Sequence, residues 1–179
     1  GDNPPVDLLP APWNSRNRVH EYGGASYAVR NGVVIFSNDA DGRLYRVDGV
    51  GSKPQPLTPD AGQRALRYAS IRFDPVRERI LAIREDHRGA GEAVNTLVAI
   101  SLTAGDDEGT ILVSGHDFFG PIEISPDGSR VAWTEWDHPR MPWDGTTLKV
   151  ADVQPDGTLG ETQTIAGNET ESVVQPGWL

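Results

Sequence analysis

The chain repeats itself with a period of 51 residues, and this repeat restricts the possible fold more than any other feature. Residues 68–102 align with residues 119–153 over 35 positions without a gap, and seven of the aligned pairs are identical. Short apolar runs separated by Gly, Pro, Asn and Asp recur in both segments. A repeat of this length, without amphipathic helical stretches, predicts a row of similar β units.

Each unit is predicted to hold four strands joined by short turns. The Asn31-Gly32 pair is the strongest two-residue hairpin signal in the first unit, and the SPDG segment at 125–128 predicts a tight turn at the same place in the third. The predicted strands are 25–30, 33–37, 43–47 and one ending at 57 in the first unit, 70–74, 79–84, 96–102 and 110–113 in the second, and 121–125, 131–136, 147–153 and 162–165 in the third.

The second strands of the first two units are apolar on both faces, as in residues 33–36 (VVIF) and 80–83 (ILAI). An antiparallel strand with one solvated face would alternate between apolar and polar residues, so both faces of these strands are expected to be buried. Four-stranded units packed face to face form a β-propeller. The sequence therefore predicts an all-β fold, a partial propeller of about three and a half blades, with a flat β-sandwich as the alternative.

The blades are expected at about residues 20–60, 66–114 and 117–166 of a single domain that covers residues 1–179. Residues 6–10 and 173–179 are similar to the last and first strands of a unit, and we expect them to be strands of further blades. Three whole units are too few for a closed ring of about six to eight blades. The chain is therefore expected to be a fragment of a longer protein, or to self-associate through open blade edges.

The charge of the chain limits its partners. It carries 26 acidic against 16 basic residues, a net charge of -10, which argues against nucleic acid because phosphate binding needs a basic surface. No apolar run approaches the roughly 18 residues of a membrane helix, so we expect no membrane contact. There is no cysteine, which excludes disulfides and cysteine-ligated zinc and fits a cytoplasmic protein.

The reactive side chains are predicted to share one face of the disc. Because strands within a blade are antiparallel, the loops leading into the first strand and the loops after the second strand emerge together. These loops carry all four histidines, together with the segment 20–22 (HEY) and the segment 137–144 (DHPRMPWD). Asp137 occupies the same repeat position as Asp39 and Asp86, which favours a structural role as an acceptor of loop N–H groups.

The sequence shows no catalytic motif of its own. It lacks G-x-S-x-G, H-E-x-x-H and a phosphate-binding loop, and its histidines come from different blades without metal-ligand spacing. We therefore expect no catalytic residue, no metal and no cofactor in this chain, and no peptidase activity from the chain alone.

Several motifs together resemble a known family. In this order and spacing they are similar to the N-terminal propeller of prolyl oligopeptidase (S9) family serine peptidases, in the dipeptidyl aminopeptidase and acylaminoacyl peptidase branch. The motifs are RVHEYGGASY at 18–27, IFSNDADGRLYR at 35–46, IREDH at 83–87, AVNTLVAISL at 93–102, SGHDFF at 114–119, ISPDG at 124–128 and WTEWDHPRMPWDGTTLKVADV at 133–153.

This resemblance implies a function for the chain. In the family the propeller caps a C-terminal α/β-hydrolase domain that carries the Ser-Asp-His triad, admits short peptides and contributes carboxylates that hold their amino groups. The expected gating residues are His20, Glu21, Tyr22, Asp137, His138, Met141 and Trp143, with Glu21 as the candidate for the amino group. The alternative is a stand-alone TolB-like propeller that serves as a protein-interaction scaffold.

Overall fold

A computed structural model describes residues 4–103 and 105–179 of the chain. Those residues form three four-stranded antiparallel sheets, each of which follows the order of the chain from its first to its fourth strand. The strands are β1 (Tyr27–Arg30), β2 (Val33–Ser37), β3 (Leu44–Val47) and β4 (Gln55–Pro56) in the first blade, β5 (Leu66–Phe73), β6 (Arg79–Asp86), β7 (Val94–Ser101) and β8 (Thr110–Val113) in the second, and β9 (Phe118–Ile124), β10 (Arg130–Trp136), β11 (Thr147–Val153) and β12 (Leu159–Gly167) in the third.

The predicted β-propeller architecture is confirmed. Strands β1, β5 and β9, the first of each sheet, lie next to one another, as the innermost strands of propeller blades do. The predicted hairpin turn is present, because Asn31 and Gly32 both have positive φ, 50° and 79°, as a type I′ turn requires. No helix among the described residues is long and apolar enough to cross a membrane.

Burial explains why a second strand such as β6 is apolar on both faces. In β6, Ile80 and Ala82 pack into the core between the first and second blades, whereas Leu81 and Ile83 pack into the core between the second and third. Successive side chains of a strand point to opposite faces, so a strand between two blades needs apolar residues at every position. This is the stacking that the continuous apolar runs predict.

The first strands of two blades begin earlier than predicted. Strand β5 starts at Leu66 and β9 at Phe118, where loops had been expected up to residues 70 and 121. The pairing of β5 with β6 shifts register between Ala69 and Arg72, and Ser70 between them has a φ of 55°. This bulge interrupts the apolar pattern, which hid the first half of the strand from sequence reading.

The two flanking strands are not strands in this structure. Leu8 and Leu9 pack instead against the face of the first blade that is turned away from the second. At the other end, Val173 exchanges two 2.8 Å hydrogen bonds with the hydroxyl of Thr146, one from its N–H and one to its carbonyl. A strand needs a ladder of backbone hydrogen bonds with a neighbouring strand. Residues 6–10 and 173–179 are instead held by the side-chain packing and side-chain hydrogen bonds just described.

Candidate functional site

The HEY segment lies in a turn with an uncommon backbone conformation. His20 and Glu21 have positive φ values of 54° and 66°. The N–H of Glu21 donates a 3.0 Å hydrogen bond to the carbonyl of Arg18, which closes the turn. Gly23, with a φ of 84°, ends it, and a Cβ there would lie 2.8 Å from the carbonyl oxygen of Asn17. Glycine is therefore required where the chain leaves the turn.

A buried carboxylate of the second blade holds this turn. Glu85 at the end of β6 is 4% exposed, and its Oε2 accepts a 2.7 Å hydrogen bond from the N–H of His20. Its Oε1 lies 3.1 Å from Nη1 of Arg67 and 2.5 Å from Nε2 of His87. The same Nη1 of Arg67 lies 2.9 Å from Oε1 of Glu21. We call Glu21, Arg67, Glu85 and His87 the charge cluster.

Carboxylates outnumber guanidinium groups in the charge cluster, because Glu21 and Glu85 both bond the one guanidinium of Arg67. The hydrogen bond and charge of Arg67 lower the pKa of Glu21, which keeps that carboxylate ionised at neutral pH. Ligand atoms of Glu21, Glu85 and His87 lie within 4.8 Å of one another, as a metal site would require. Arg67 already bonds both carboxylates and supplies the positive charge that a metal ion would bring.

An aromatic cluster connects the turn to the third blade. The ring of His20 meets Phe118 edge-on at 5.2 Å and Trp136 at 5.6 Å, and it also contacts Tyr22 at 5.8 Å. Phe118 stacks on Trp136 at 5.4 Å and lies 4.7 Å from the ring of His138. Residues from the first and third blades therefore meet at one rim of the disc.

His20 is half-buried within this aromatic cluster. Burial lowers its pKa, and the nearby Glu85 carboxylate and Asn95 side chain oppose that effect only in part. Its Nε2 is buried without a hydrogen-bond partner among the described residues. The imidazole is therefore neutral at neutral pH and acts as an aromatic packing group.

Asp137 orders the loop that follows β10. Its Oδ1 accepts a 2.8 Å hydrogen bond from the N–H of Asp117, and its Oδ2 lies 2.8 Å from Nδ1 of His116. Burial raises the pKa of Asp137, but these two bonds outweigh burial and the net shift is downward. Asp117 in turn accepts a 2.9 Å bond from the N–H of His138. Asp137 thus accepts a loop N–H, as its repeated position led us to expect.

The rest of this loop is fixed by its own bonds. The N–H of Met141 donates to Oδ2 of Asp144 at 2.9 Å, and the N–H of Asp144 donates to the carbonyl of Met141 at the same distance. The hydroxyl of Ser172 donates to the carbonyl of Pro142 at 2.6 Å. Trp143 remains 67% exposed at the tip. The loop therefore exposes the apolar side chain of Trp143 on a backbone that hydrogen bonds hold in place.

The structure brings some of the expected gating residues together. His20, Tyr22 and His138 meet in the aromatic cluster, and Glu21 joins the charge cluster beside it. The cavity next to the turn is lined by Pro142 of the loop, not by Met141 or Trp143.

Sequence reading missed the partners that surround Glu21. Arg67 and Glu85 were assigned to loops on this face, whereas they are directly opposed residues of β5 and β6. Phe118 likewise proves to be a strand residue at the centre of the aromatic cluster. The motifs contain all three residues, but only the strand register shows which of them touch.

The chain is similar to solved structures of puromycin-hydrolysing proteins. Neither a protein-family model nor a curated protein sequence matches the chain. A puromycin hydrolase structure matches 96% of the chain at 38% identity with a TM-score of 0.85. A Mycobacterium tuberculosis puromycin-hydrolysing peptidase matches 97% of it at 40% identity with a TM-score of 0.88. The chain spans 28% of the length of each of these proteins.

These matches agree with the motifs and with the architecture. They extend over nearly the whole chain. Their sequence identity is well above the level that a shared fold alone would give, and their backbone structures closely resemble that of this chain. The chain belongs to the prolyl oligopeptidase (S9) family of serine peptidases, within which it is part of the N-terminal β-propeller.

Proposed function

We propose that this propeller selects short peptide substrates for a serine exopeptidase of the dipeptidyl aminopeptidase and acylaminoacyl peptidase branch. Hydrolysis belongs to a C-terminal α/β-hydrolase domain of the same protein, which supplies the Ser-Asp-His triad. The similarity to two puromycin-hydrolysing enzymes supports this context. Puromycin is an α-amino amide with a free amino group, which is the kind of substrate that an acidic rim attracts.

The observation that carries the proposal is the charge cluster at the rim. Its excess of carboxylates over guanidinium groups favours the ammonium group of a peptide amino terminus. The side chain of Glu21 is 74% exposed, so a substrate can reach it, whereas Glu85 is buried and already bonded by His20 and Arg67. Glu21 is therefore the carboxylate that meets the substrate, and Glu85 and Arg67 hold it in place.

The exposed aromatic side chains of the same rim form the surface toward the hydrolase domain. Tyr22 is 62% exposed and Trp143 is 67% exposed, and both stand on backbone that is fixed by hydrogen bonds. Exposed aromatic residues on braced loops are typical of contact surfaces. The same observation also favours the second candidate function, a scaffold that binds another protein through this rim.

A substitution at Glu21 tests the proposed role in substrate selection. Glu21→Gln removes the negative charge while keeping the size of the side chain. In the full-length peptidase, we expect it to lower kcat/KM about tenfold for a peptide with a free amino group, since a charge-assisted hydrogen bond is lost. The N-acylated form of the same peptide carries no ammonium group and should lose little.

The control for that experiment is Glu161→Gln, which removes an exposed carboxylate from β12, away from the rim. It should leave both substrates unaffected. Equal losses for the free and acylated peptides in Glu21→Gln would contradict the proposal. A full-length protein that hydrolyses neither peptide and binds another protein through Trp143 would favour the scaffold.

A cytoplasmic location is part of the proposal. The 179 residues contain no cysteine, so the propeller is stable without the disulfides that oxidising compartments allow. We expect fractionation of the native host to recover the full-length protein in the cytosolic fraction. Recovery from the medium or the periplasm would contradict it.

A further inference from the structure

A small cavity lies between the first and second blades, at the rim that carries the charge cluster, and we call it the arginine cavity. Arg16 and Arg18 line it from the segment that leads into the first blade, and Arg64 and Arg67 line it from the start of the second. Its volume is about 10 Å³, which leaves room for about one water molecule or one monatomic ion. Four arginines therefore surround a space for one small ligand.

The arginine cavity gathers positive charge on a chain whose net charge is -10. Asp39 is the one carboxylate among the described residues that line it, and its Oδ1 lies 3.4 Å from Nη1 of Arg64. Arg16 and Arg18 are exposed and form no ion pair within the described part of the chain. Their guanidinium charges are thus without a carboxylate partner, which favours an anionic ligand at this cavity.

Arg67 lacks an acceptor for one of its N–H groups. Its Nη1 donates to the carbonyl of Arg18 at 3.0 Å and also bonds Glu21 and Glu85. Its Nε, by contrast, is buried without a hydrogen-bond partner among the described residues. A buried donor that stays unpaired destabilises a folded protein, and such donors are usually satisfied by a bound water or ion. The missing acceptor therefore points to a small ligand in the cavity that Arg67 lines.

Hydrogen bonds and close packing hold the walls of the arginine cavity in place. The side chain of Asn17 is buried, and its Oδ1 accepts bonds from the N–H groups of Val19 and Gly24 at 3.2 and 3.0 Å. Gly42 lines the cavity with a φ of 78°, and a Cβ there would lie 2.6 Å from the carbonyl oxygen of Leu66. Walls that are already ordered lose little conformational entropy when a ligand binds.

We propose that the arginine cavity binds a small monovalent anion, chloride above all. The unpaired guanidinium groups supply the attraction, and they stay charged at every pH at which the protein is folded. A space of about one water molecule admits a monatomic ion more readily than the polyatomic phosphate or sulfate. The bound ion gives Nε of Arg67 an acceptor and connects the first blade with the second beside the charge cluster.

Chlorine NMR tests the binding directly, because the signal of free chloride broadens when the ion exchanges with a protein site. We expect the 179-residue chain to broaden the signal of sodium chloride in proportion to the protein concentration. Sodium bromide should reverse the broadening, since bromide is a monatomic ion of similar size. Sodium gluconate should not reverse it, because gluconate is too large for the cavity.

Thermal unfolding gives an independent measurement. An ion that binds the folded chain and not the unfolded one raises the melting temperature. At equal ionic strength, we expect the melting temperature to be about 3 °C higher in sodium chloride than in sodium gluconate, with chloride at about ten times its dissociation constant. Equal ionic strength keeps the general screening of surface charges the same in both salts.

Arg16→Gln and Arg18→Gln each remove one charge from the cavity wall. Both side chains are exposed and without an ion pair, so folding should be retained, and the melting curves report it for each variant. We expect either substitution to weaken chloride binding about tenfold, because a charge-assisted hydrogen bond is lost. The matched control is Arg130→Gln, the same change at an exposed arginine outside the cavity, which should keep the affinity of the unmodified chain.

Two results would overturn the inference. One is an unmodified chain that leaves the chloride signal narrow and melts at the same temperature in both salts. The other is a chloride effect that Arg130→Gln weakens as much as Arg16→Gln and Arg18→Gln do, because such an effect would come from the overall charge of the surface and not from this cavity.

Discussion

The N–H of His20 donates a 2.7 Å hydrogen bond to Oε2 of Glu85, and this bond joins the rim turn of the first blade to the core of the second. Glu85 also holds Arg67 and His87 through its other oxygen. A buried carboxylate that satisfies three donors is costly to replace, because each donor loses a charged acceptor at once. The geometry of Glu21 therefore depends on a residue 64 positions away in the chain.

Replacing that carboxylate should destabilise the protein. Glu85→Gln keeps the shape of the side chain, but its amide nitrogen turns a donor toward Arg67 or His20. We expect the free energy of unfolding to fall by about 2–4 kcal/mol in urea titrations at pH 7. Glu161→Gln, at an exposed carboxylate, should stay within about 0.5 kcal/mol of the unmodified chain. A similarly small effect of Glu85→Gln would show that the turn is held by other contacts.

Acid should weaken the opposite rim through Asp74. Its Oδ1 accepts hydrogen bonds from the N–H groups of Val76 and Arg77, and its Oδ2 one from Nε of Arg79. Burial raises the pKa of Asp74, but these bonds outweigh it, and the folded-state pKa lies below the ordinary value of 3.8. A depressed pKa gives stability that is present above the ordinary value and lost as pH falls through the folded one.

The corresponding variant is Asp74→Asn. It should lower the free energy of unfolding by about 2–4 kcal/mol at pH 7, since a buried charge-assisted acceptor is lost. Its deficit relative to the unmodified chain should shrink as pH falls below 4, because the unfolded state of the unmodified chain takes up a proton there before the folded state does. Urea unfolding across that range measures both. A deficit that stays constant down to pH 2 would contradict the assignment.

The sequence predicted the blades because their cause is local. A second strand such as β6 lies between two cores, so Ile80 and Leu81 must both be apolar, and that leaves a continuous run in the sequence. The Asn31-Gly32 turn is local in the same sense, because positive φ at two successive positions restricts the residue types there. Such features need no knowledge of the rest of the fold.

The charge cluster was beyond sequence reading for the opposite reason. Arg67 and Glu85 are opposed only because a bulge at Ser70 shifts the register of β5 against β6. A one-residue change in register moves a side chain to the other face of the sheet, so neither partner could be assigned before the bulge was located. The contact of Arg67 with Glu21 adds a further step, since it crosses between blades.

The exposed face of the first blade leads us to propose that the chain self-associates. Tyr27 and Val29 of β1 are 60% and 59% exposed, and they lie opposite Phe36 and Val34, whose face is covered by Leu8, Leu9 and Trp13 among the described residues. We expect sedimentation velocity to show association that grows with concentration. Val29→Lys should weaken it, whereas Val76→Lys, at a turn residue with 66% exposure, should not. A single monomeric species at every concentration would rule this out.

Stability between pH 5 and pH 8 should depend on His20. Burial depresses its folded-state pKa below the ordinary 6.5, so the unfolded chain takes up a proton that the folded protein does not. The free energy of unfolding must therefore fall as pH falls below about 6.5. His20→Asn removes the titrating group while keeping a residue type that tolerates positive φ, although it also loses the ring contacts with Phe118 and Trp136. The comparison is therefore between slopes and not between absolute stabilities.

Urea unfolding at pH 7.5 and pH 5 gives those slopes. The other three histidines are present in both proteins, so their contributions cancel in the difference. We expect the unmodified chain to lose more stability than His20→Asn over this interval, because a proton on the imidazole would place a charge among Phe118 and Trp136 that Glu85 and Asn95 offset only in part. Equal losses would mean that the attraction of Glu85 fully compensates burial, and that His20 carries its proton in the folded state.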